Sequence, residues 1–209
     1  MKVLNLYACL GGNRLLWDNC EVTAVELDTE LARMYQERFP NDTVIVADAH
    51  QYLLDHYKEF DFIWSSPPCP THSRARYWGH GQTKPVFPDM KLYQEIIFLK
   101  HHFKGKWIIE NVIPYYEPLI PATKIERHLF WGNFVIPQPG KLRKSQVCQG
   151  TNEVKTLCEF HDYDFTKYKG EQSIAKVARN LVDYEVGEHI FNIARGIYKQ
   201  NNSEQTQLF

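Results

Sequence analysis

Cys69 stands among prolines in Ser65-Ser66-Pro67-Pro68-Cys69-Pro70, directly after the apolar run Phe60-Asp61-Phe62-Ile63-Trp64. Proline fixes φ and restricts the residue before it, so this stretch cannot extend a helix or a central strand. A thiol on a rigid loop at a strand end is placed for nucleophilic attack, a covalent route that divides one difficult step into two. Alone, the same residue also reads as a packed, inert thiol. A second segment, Lys106-Trp107-Ile108-Ile109-Glu110-Asn111-Val112, repeats the pattern with a carboxylate at its end. A buried carboxyl there can hold a proton at neutral pH and pass it on. By itself, a Glu-Asn pair equally suits a cap or turn.

A third group lies nearer the N-terminus. The turn Cys9-Leu10-Gly11-Gly12-Asn13 follows a short apolar strand, and glycines there allow close backbone approach to a ligand. Glu26 ends the next strand, at the spacing where an acidic residue meets ribose hydroxyls in dinucleotide-type folds. Asp48 ends the third, where it can accept from an adenine amino group. Jointly these strand ends describe a nucleoside-binding crevice; singly they read as a turn, a solvated acid and a helix cap.

The elements that must position these residues alternate. Strands are expected at Lys2–Tyr7, Glu21–Leu27, Thr43–Ala47, Phe60–Ser65 and Trp107–Ile109. Helices are expected at Thr29–Phe39, Tyr52–Tyr57, Asp89–Phe103 and Glu185–Tyr198, and Arg14–Asp18 can open another. Such alternation predicts an α/β fold, a doubly wound and mostly parallel sheet with helices on both faces. A length of 209 residues with 44% apolar side chains suits one such unit with a real core. No run approaches the roughly 20 apolar residues that span a bilayer, so no membrane partner is expected. Five scattered cysteines and an N-terminus that reads as a strand point to free thiols in a reducing cytoplasm. Cys148, Cys158 and His161 lack a Cys-x-x-Cys pair, so no metal site is expected. The net charge of −1 requires any nucleic-acid surface to be local.

In this order the motifs resemble those of the cytosine-C5 DNA methyltransferases. Asn5-Leu6-Tyr7-Ala8-Cys9-Leu10-Gly11-Gly12 is similar to the family's first motif and Val25-Glu26-Leu27-Asp28 to its second, while Asp48 falls in its third. Pro67-Pro68-Cys69 with Ser73 resembles the nucleophile loop, Glu110-Asn111-Val112 the Glu-Asn-Val motif, and Arg127-His128-Leu129-Phe130 the end of the Arg-rich motif. The resemblance implies a small, phage-like member with a Rossmann-like methyltransferase fold. It implies S-adenosyl-L-methionine as cofactor and S-adenosyl-L-homocysteine as product, with contacts from Tyr7, Ala8, Gly11, Gly12, Glu26, Leu27, Asp48, Ala49 and Pro67. It implies that Cys69 adds to carbon 6 of cytosine, Glu110 supplies a proton at N3, Asn111 supports the Cys loop and Arg127 holds O2. The substrate is then DNA, with the base flipped from a duplex or presented in a single strand. Because the thiol must ionise, an electropositive, desolvated pocket is expected around it.

The chain departs from the family pattern at Cys9, which replaces a glycine, at Pro70, which replaces a glutamine, and at Ile125, which replaces an arginine. A catalytic and cofactor core is expected over 1–136, a reduced target-recognition-like segment over 137–172, a C-terminal helix returning to the core over 173–199 and a flexible tail over 200–209. Ser73, Arg74 and Arg76 after the nucleophile, with Lys141, Arg143 and Lys144 in the reduced segment, are the candidate nucleic-acid contacts. Interleaved basic and aromatic side chains there could hold a strand or form a solvated loop. So small a reader implies relaxed specificity or a partner protein, in the cytoplasm or nucleoid of a bacterial or phage-infected cell. RNA cytosine methylation, a carboxylated donor and a non-catalytic nucleic-acid-binding regulator remain open alternatives.

Overall fold

The computed structural model describes residues 1–75, 84, 86–143 and 152–197; Arg76, Lys144, Cys148 and the tail lie outside them. Strands β1 (Lys2–Leu6), β2 (Glu21–Glu26), β3 (Thr43–Val46), β4 (Phe62–Ser65), β5 (Lys106–Val112), β6 (Thr123–Ile125) and β7 (His128–Gly132) form one sheet in the order β3-β2-β1-β4-β5-β7-β6. The first five are parallel, and β7 runs antiparallel between β5 and β6. Strand order reverses between β1 and β4. In open α/β sheets the crevice beyond the carboxyl ends at such a reversal takes the ligand.

The pleat sorts the core onto two faces. Leu4, Leu6 and Ile63 pack against α3 (Lys91–His102) through Leu92, Ile96 and Leu99, with Ala49 and Leu53 of α2 (Ala49–His56). Val3, Phe62 and Trp64 meet Val186, Ile190 and Phe191 of α6 (Tyr184–Ala194) on the other face. There α1 (Thr29–Arg38) lays Tyr35 against Ala8 and Ala24. This is the Rossmann-like, doubly wound arrangement that the alternation predicts. Among the described residues no helix is long and apolar enough to cross a membrane.

Three segments differ from expectation. Arg14–Asp18 forms turns rather than a helix. Trp17 is drawn into the core, stacked on Phe191 at 4.8 Å, and its Nε1 donates to the Gly187 carbonyl at 3.1 Å. Strands β6 and β7 make an unexpected hairpin whose turn, Glu126-Arg127, lacks glycine although Glu126 has φ 51°. In the segment expected to be reduced, the described residues include helical structure, which neither the strand-holding nor the solvated-loop reading predicts. Leu157 of α4 (Glu153–His161), Phe165, Tyr168 and Val177 of α5 (Ile174–Arg179) bury together on Leu10, Leu31 and Met34.

Candidate functional site

The turn after β1 uses left-handed backbone at Tyr7, Cys9 and Gly11, with φ of 55°, 48° and 65°. A Cβ at Gly11 would lie 2.5 Å from the Phe39 ring, and one at Gly12 2.5 Å from the Val182 carbonyl oxygen, so neither position admits a side chain. Glu26 fastens this turn from β2. Its carboxylate accepts the Cys9 N–H at 2.8 Å and the Asp28 N–H at 2.9 Å. Burial raises its pKa, and these backbone donors oppose the rise. Leu27, next to it, is 67% exposed. The N–H of buried Ala8 donates to Val25 O at 3.1 Å. Asp48 caps α2, accepting the Gln51 N–H at 2.9 Å, and that bond first of all lowers its pKa. Ala49 is buried in the first turn of α2, and Pro67 is buried in the loop that carries Cys69.

Sequence reasoning missed Glu95 at the floor of this crevice. It is fully buried on α3, and its carboxylate accepts the Tyr7 hydroxyl at 2.7 Å and the Ser65 hydroxyl at 2.6 Å. His50 Nδ1 lies 3.0 Å from it, and this contact raises the His50 pKa. One carboxylate thus joins the ends of β1 and β4 and the first turn of α2 to α3. The available signal was an acidic residue on the same helical face as Leu92, Ile96 and Leu99.

Half-buried Cys69 lies on the loop leaving β4, and its carbonyl accepts the N–H groups of His72 and Ser73 at 2.9 and 3.0 Å. Asn111 Nδ2 donates to the Pro67 carbonyl at 2.8 Å, tying that loop to β5. Glu110, one residue earlier, faces the opposite side of the sheet. Its cross-strand partner is Phe130, while Val112 pairs with His128, so His128 stands diagonal to Glu110. His128 Nε2 is 3.4 Å from Glu110 Oε1. Burial pushes the Glu110 carboxyl up to about 7, against the Ser66 hydroxyl and the Arg127 charge. Burial, with Arg127, pushes His128 down to about 3, so this imidazole is neutral. Arg127 sits in the β6–β7 turn and donates to the carbonyls of Arg179 at 2.8 Å and Leu181 at 3.5 Å.

The thiol departs from the electropositive expectation. Burial and Glu110 raise its pKa, outweighing Arg127 and Lys176, which lower it. Exposed Lys176 on α5 was not singled out from the sequence. Of the candidate nucleic-acid contacts, Ser73 bridges to Pro114, and Arg74 Nε donates to the Pro114 carbonyl at 3.2 Å. Lys141 is exposed. Arg143 is engaged within the protein, paired with Asp183 at 2.6 Å and Glu185 at 3.0 Å and donating to the Phe160 carbonyl at 2.7 Å.

The sequence profile of C-5 cytosine-specific DNA methylases matches residues 1–114, a span that contains Cys69 and Glu110 and stops short of Arg127. A search of curated proteins finds no match. Among solved structures, a mutant DNMT2 of Spodoptera frugiperda is 24% identical with a TM-score of 0.40, covering 53% of this chain and 35% of that one. A putative DNA modification methyltransferase encoded within an Escherichia coli prophage is 18% identical with a TM-score of 0.38, covering 56% of this chain and 33% of that one. The chain therefore spans about a third of the length of either protein.

Proposed function

This chain belongs to the C-5 cytosine-specific DNA methylase family, and from that premise we propose that it methylates carbon 5 of cytosine in DNA, with Cys69 as nucleophile and S-adenosyl-L-methionine as donor. The observation that carries this reading is that Cys69, Glu110 and Arg127, from three separate elements, lie close enough together for Glu110 and Arg127 to shift the ionisation of Cys69 and for Arg127 to shift that of Glu110.

The residues of the crevice fit the donor's nucleoside. Each Glu26 oxygen accepts one backbone N–H and keeps a lone pair for a ribose hydroxyl. Leu27 offers apolar surface to adenine, Asp48 an acceptor to its amino group, and Tyr7, Ala8, Gly11, Gly12, Ala49 and Pro67 the walls. When bound, S-adenosylmethionine supplies an electrophilic methyl group. The protein's part is to make carbon 5 nucleophilic. The Cys69 thiolate adds to carbon 6, which places negative charge on the ring. Glu110, carrying a proton near neutral pH, donates it at N3 and neutralises that charge. A protonated Glu110 also ceases to oppose ionisation of Cys69, so the two events assist each other. Arg127, moored by two carbonyls, hydrogen-bonds O2. Once carbon 5 carries the methyl group, a base takes its proton and the bond from sulfur to carbon 6 breaks. Carbon 6 of a stacked base is out of reach, so the cytosine is extruded or single-stranded.

Labelled S-adenosylmethionine offered with duplex DNA, single-stranded DNA and RNA tests this. Label is expected in DNA, and Cys69→Ala is expected to lower transfer by at least about a thousandfold. DNA containing 5-fluorocytosine should trap an adduct on Cys69. Donor binding without transfer to any nucleic acid would sink the proposal in favour of a regulator that keeps the fold, and transfer to RNA alone would move the substrate.

A further inference from the structure

The loop that carries Cys69 is fastened by a buried histidine that the chemistry above does not use. His72 is 1% exposed, and its Nδ1 lies 2.5 Å from the Tyr116 hydroxyl. Tyr93 donates to that hydroxyl at 3.4 Å and accepts the Leu119 N–H at 3.2 Å. Which of His72 Nδ1 and the Tyr116 hydroxyl donates follows the ring's tautomer, and either tautomer closes the bond. Burial lowers the His72 pKa, which keeps the ring neutral. The backbone follows the same plan. The N–H groups of His72 and Ser73 converge on the Cys69 carbonyl, and the Tyr115 N–H donates to the His72 carbonyl at 3.0 Å. Thr71 Oγ1 accepts the Asp89 N–H at 3.0 Å, just before α3.

We propose that His72 is a positioning residue, which through the Tyr116 hydroxyl fixes the turn beginning at Cys69 and so aims the thiol. The bond from Asn111 to Pro67 restrains the loop two residues before the sulfur; the bond between His72 and Tyr116 restrains it three residues after. On that side the side-chain bond adds to the backbone bonds of His72 and Thr71, and anchors both before and after the sulfur define the direction of the side chain between them. A misplacement of about 1 Å in a reacting group costs on the order of a hundredfold in rate.

The inference rests on Cys69 acting as the nucleophile, and its test separates the two. His72→Phe keeps a ring and loses Nδ1. His72→Asn loses volume and sets an amide oxygen near the position of Nδ1. Tyr116→Phe removes only the hydroxyl. Three quantities are read: single-turnover methyl transfer, affinity for S-adenosylmethionine, and the rate at which iodoacetamide alkylates Cys69, followed by mass spectrometry. His72→Phe and Tyr116→Phe are expected to slow transfer by about 10- to 100-fold with donor affinity unchanged within about twofold, because the crevice is untouched. Both should alkylate Cys69 several-fold faster as the loop loosens. His72→Asn should stay within about fivefold of the wild type in transfer, since the hydrogen bond persists. The double variant should be no slower than the slower single one, since both remove one bond. Unchanged transfer and alkylation in Tyr116→Phe and His72→Phe overturn the proposal. So does wild-type behaviour of His72→Phe beside a defective His72→Asn, the pattern of packing alone. If the wild type methylates no nucleic acid, the functional proposal fails, while the alkylation contrast still decides whether His72 aims the thiol.

Discussion

Glu26 and Glu110 are two carboxylates near the ends of parallel strands, and their surroundings are opposite. Both are shielded from water and both are pushed upward by burial. Glu26 meets two backbone N–H groups within 2.9 Å, donors that favour the charged form. Glu110 meets the Ser66 hydroxyl and a neutral His128, and it rises to about 7. Fixed donors, together with the deeper burial of Glu110, separate a carboxylate that holds the backbone from one that carries a proton. The crevice around β1–β3 is accordingly a region of acceptors that stay charged, Asp28 and Asp48 among them. The pocket around β4, β5 and β7 is a region of groups kept from their ordinary charge.

Glu110→Gln breaks that contrast most severely. An amide cannot deliver an acidic proton to N3, so transfer at pH 7 is expected to fall by about 100- to 1,000-fold. Stability should move the other way. With its pKa raised from 4.5 to about 7, Glu110 binds a proton more readily in the folded state than in the unfolded chain. Its contribution is fully present below about 4.5 and is lost as pH rises through about 7. The glutamine variant escapes that loss, and urea titration should find it more stable than the wild type at pH 8, by up to about 3 kcal/mol, and not at pH 4. Equal stability at both pH values would mean that Glu110 ionises in the folded protein as readily as in the unfolded chain.

How much of this was legible in the sequence follows the same division. Strands β1 to β4 announce themselves as short apolar runs, and Cys69 is marked by its prolines, because those signals are local. The β6–β7 hairpin has no such mark: a glutamate adopts the left-handed turn position, and pairing with β5 enforces it. Glu95 and His72 could not be assigned because their partners, Tyr7 and Tyr116, are 88 and 44 residues away in the chain. The ion pairs of Arg143 were out of sight for the corresponding reason, since Asp183 and Glu185 only reach it once α6 has folded back.

A smaller effect is expected from Glu26→Ala. It leaves the N–H groups of Cys9 and Asp28 without their acceptor, which costs about 1–3 kcal/mol. Because that turn forms the crevice wall, donor affinity should fall by about tenfold or more while the alkylation rate of Cys69 stays near that of the wild type. A parallel loss of both would show that the two regions are not independent.

Asp48 offers the mildest and most discriminating variant. Its carboxylate is half exposed and its ion pair with Lys91 spans 3.8 Å, so charge alone contributes little to stability. The helix cap contributes more, and Asp48→Ala should cost about 1 kcal/mol. Asp48→Ser separates the cap from the ligand contact, because serine caps a helix as well but is too short to reach a nucleobase amino group. Stability within about 0.5 kcal/mol of the wild type, together with donor affinity about fivefold weaker for the loss of one hydrogen bond, gives the residue both roles. Full affinity in Asp48→Ser makes it a cap alone, and recognition of the nucleoside then rests on Glu26 and the exposed face of Leu27.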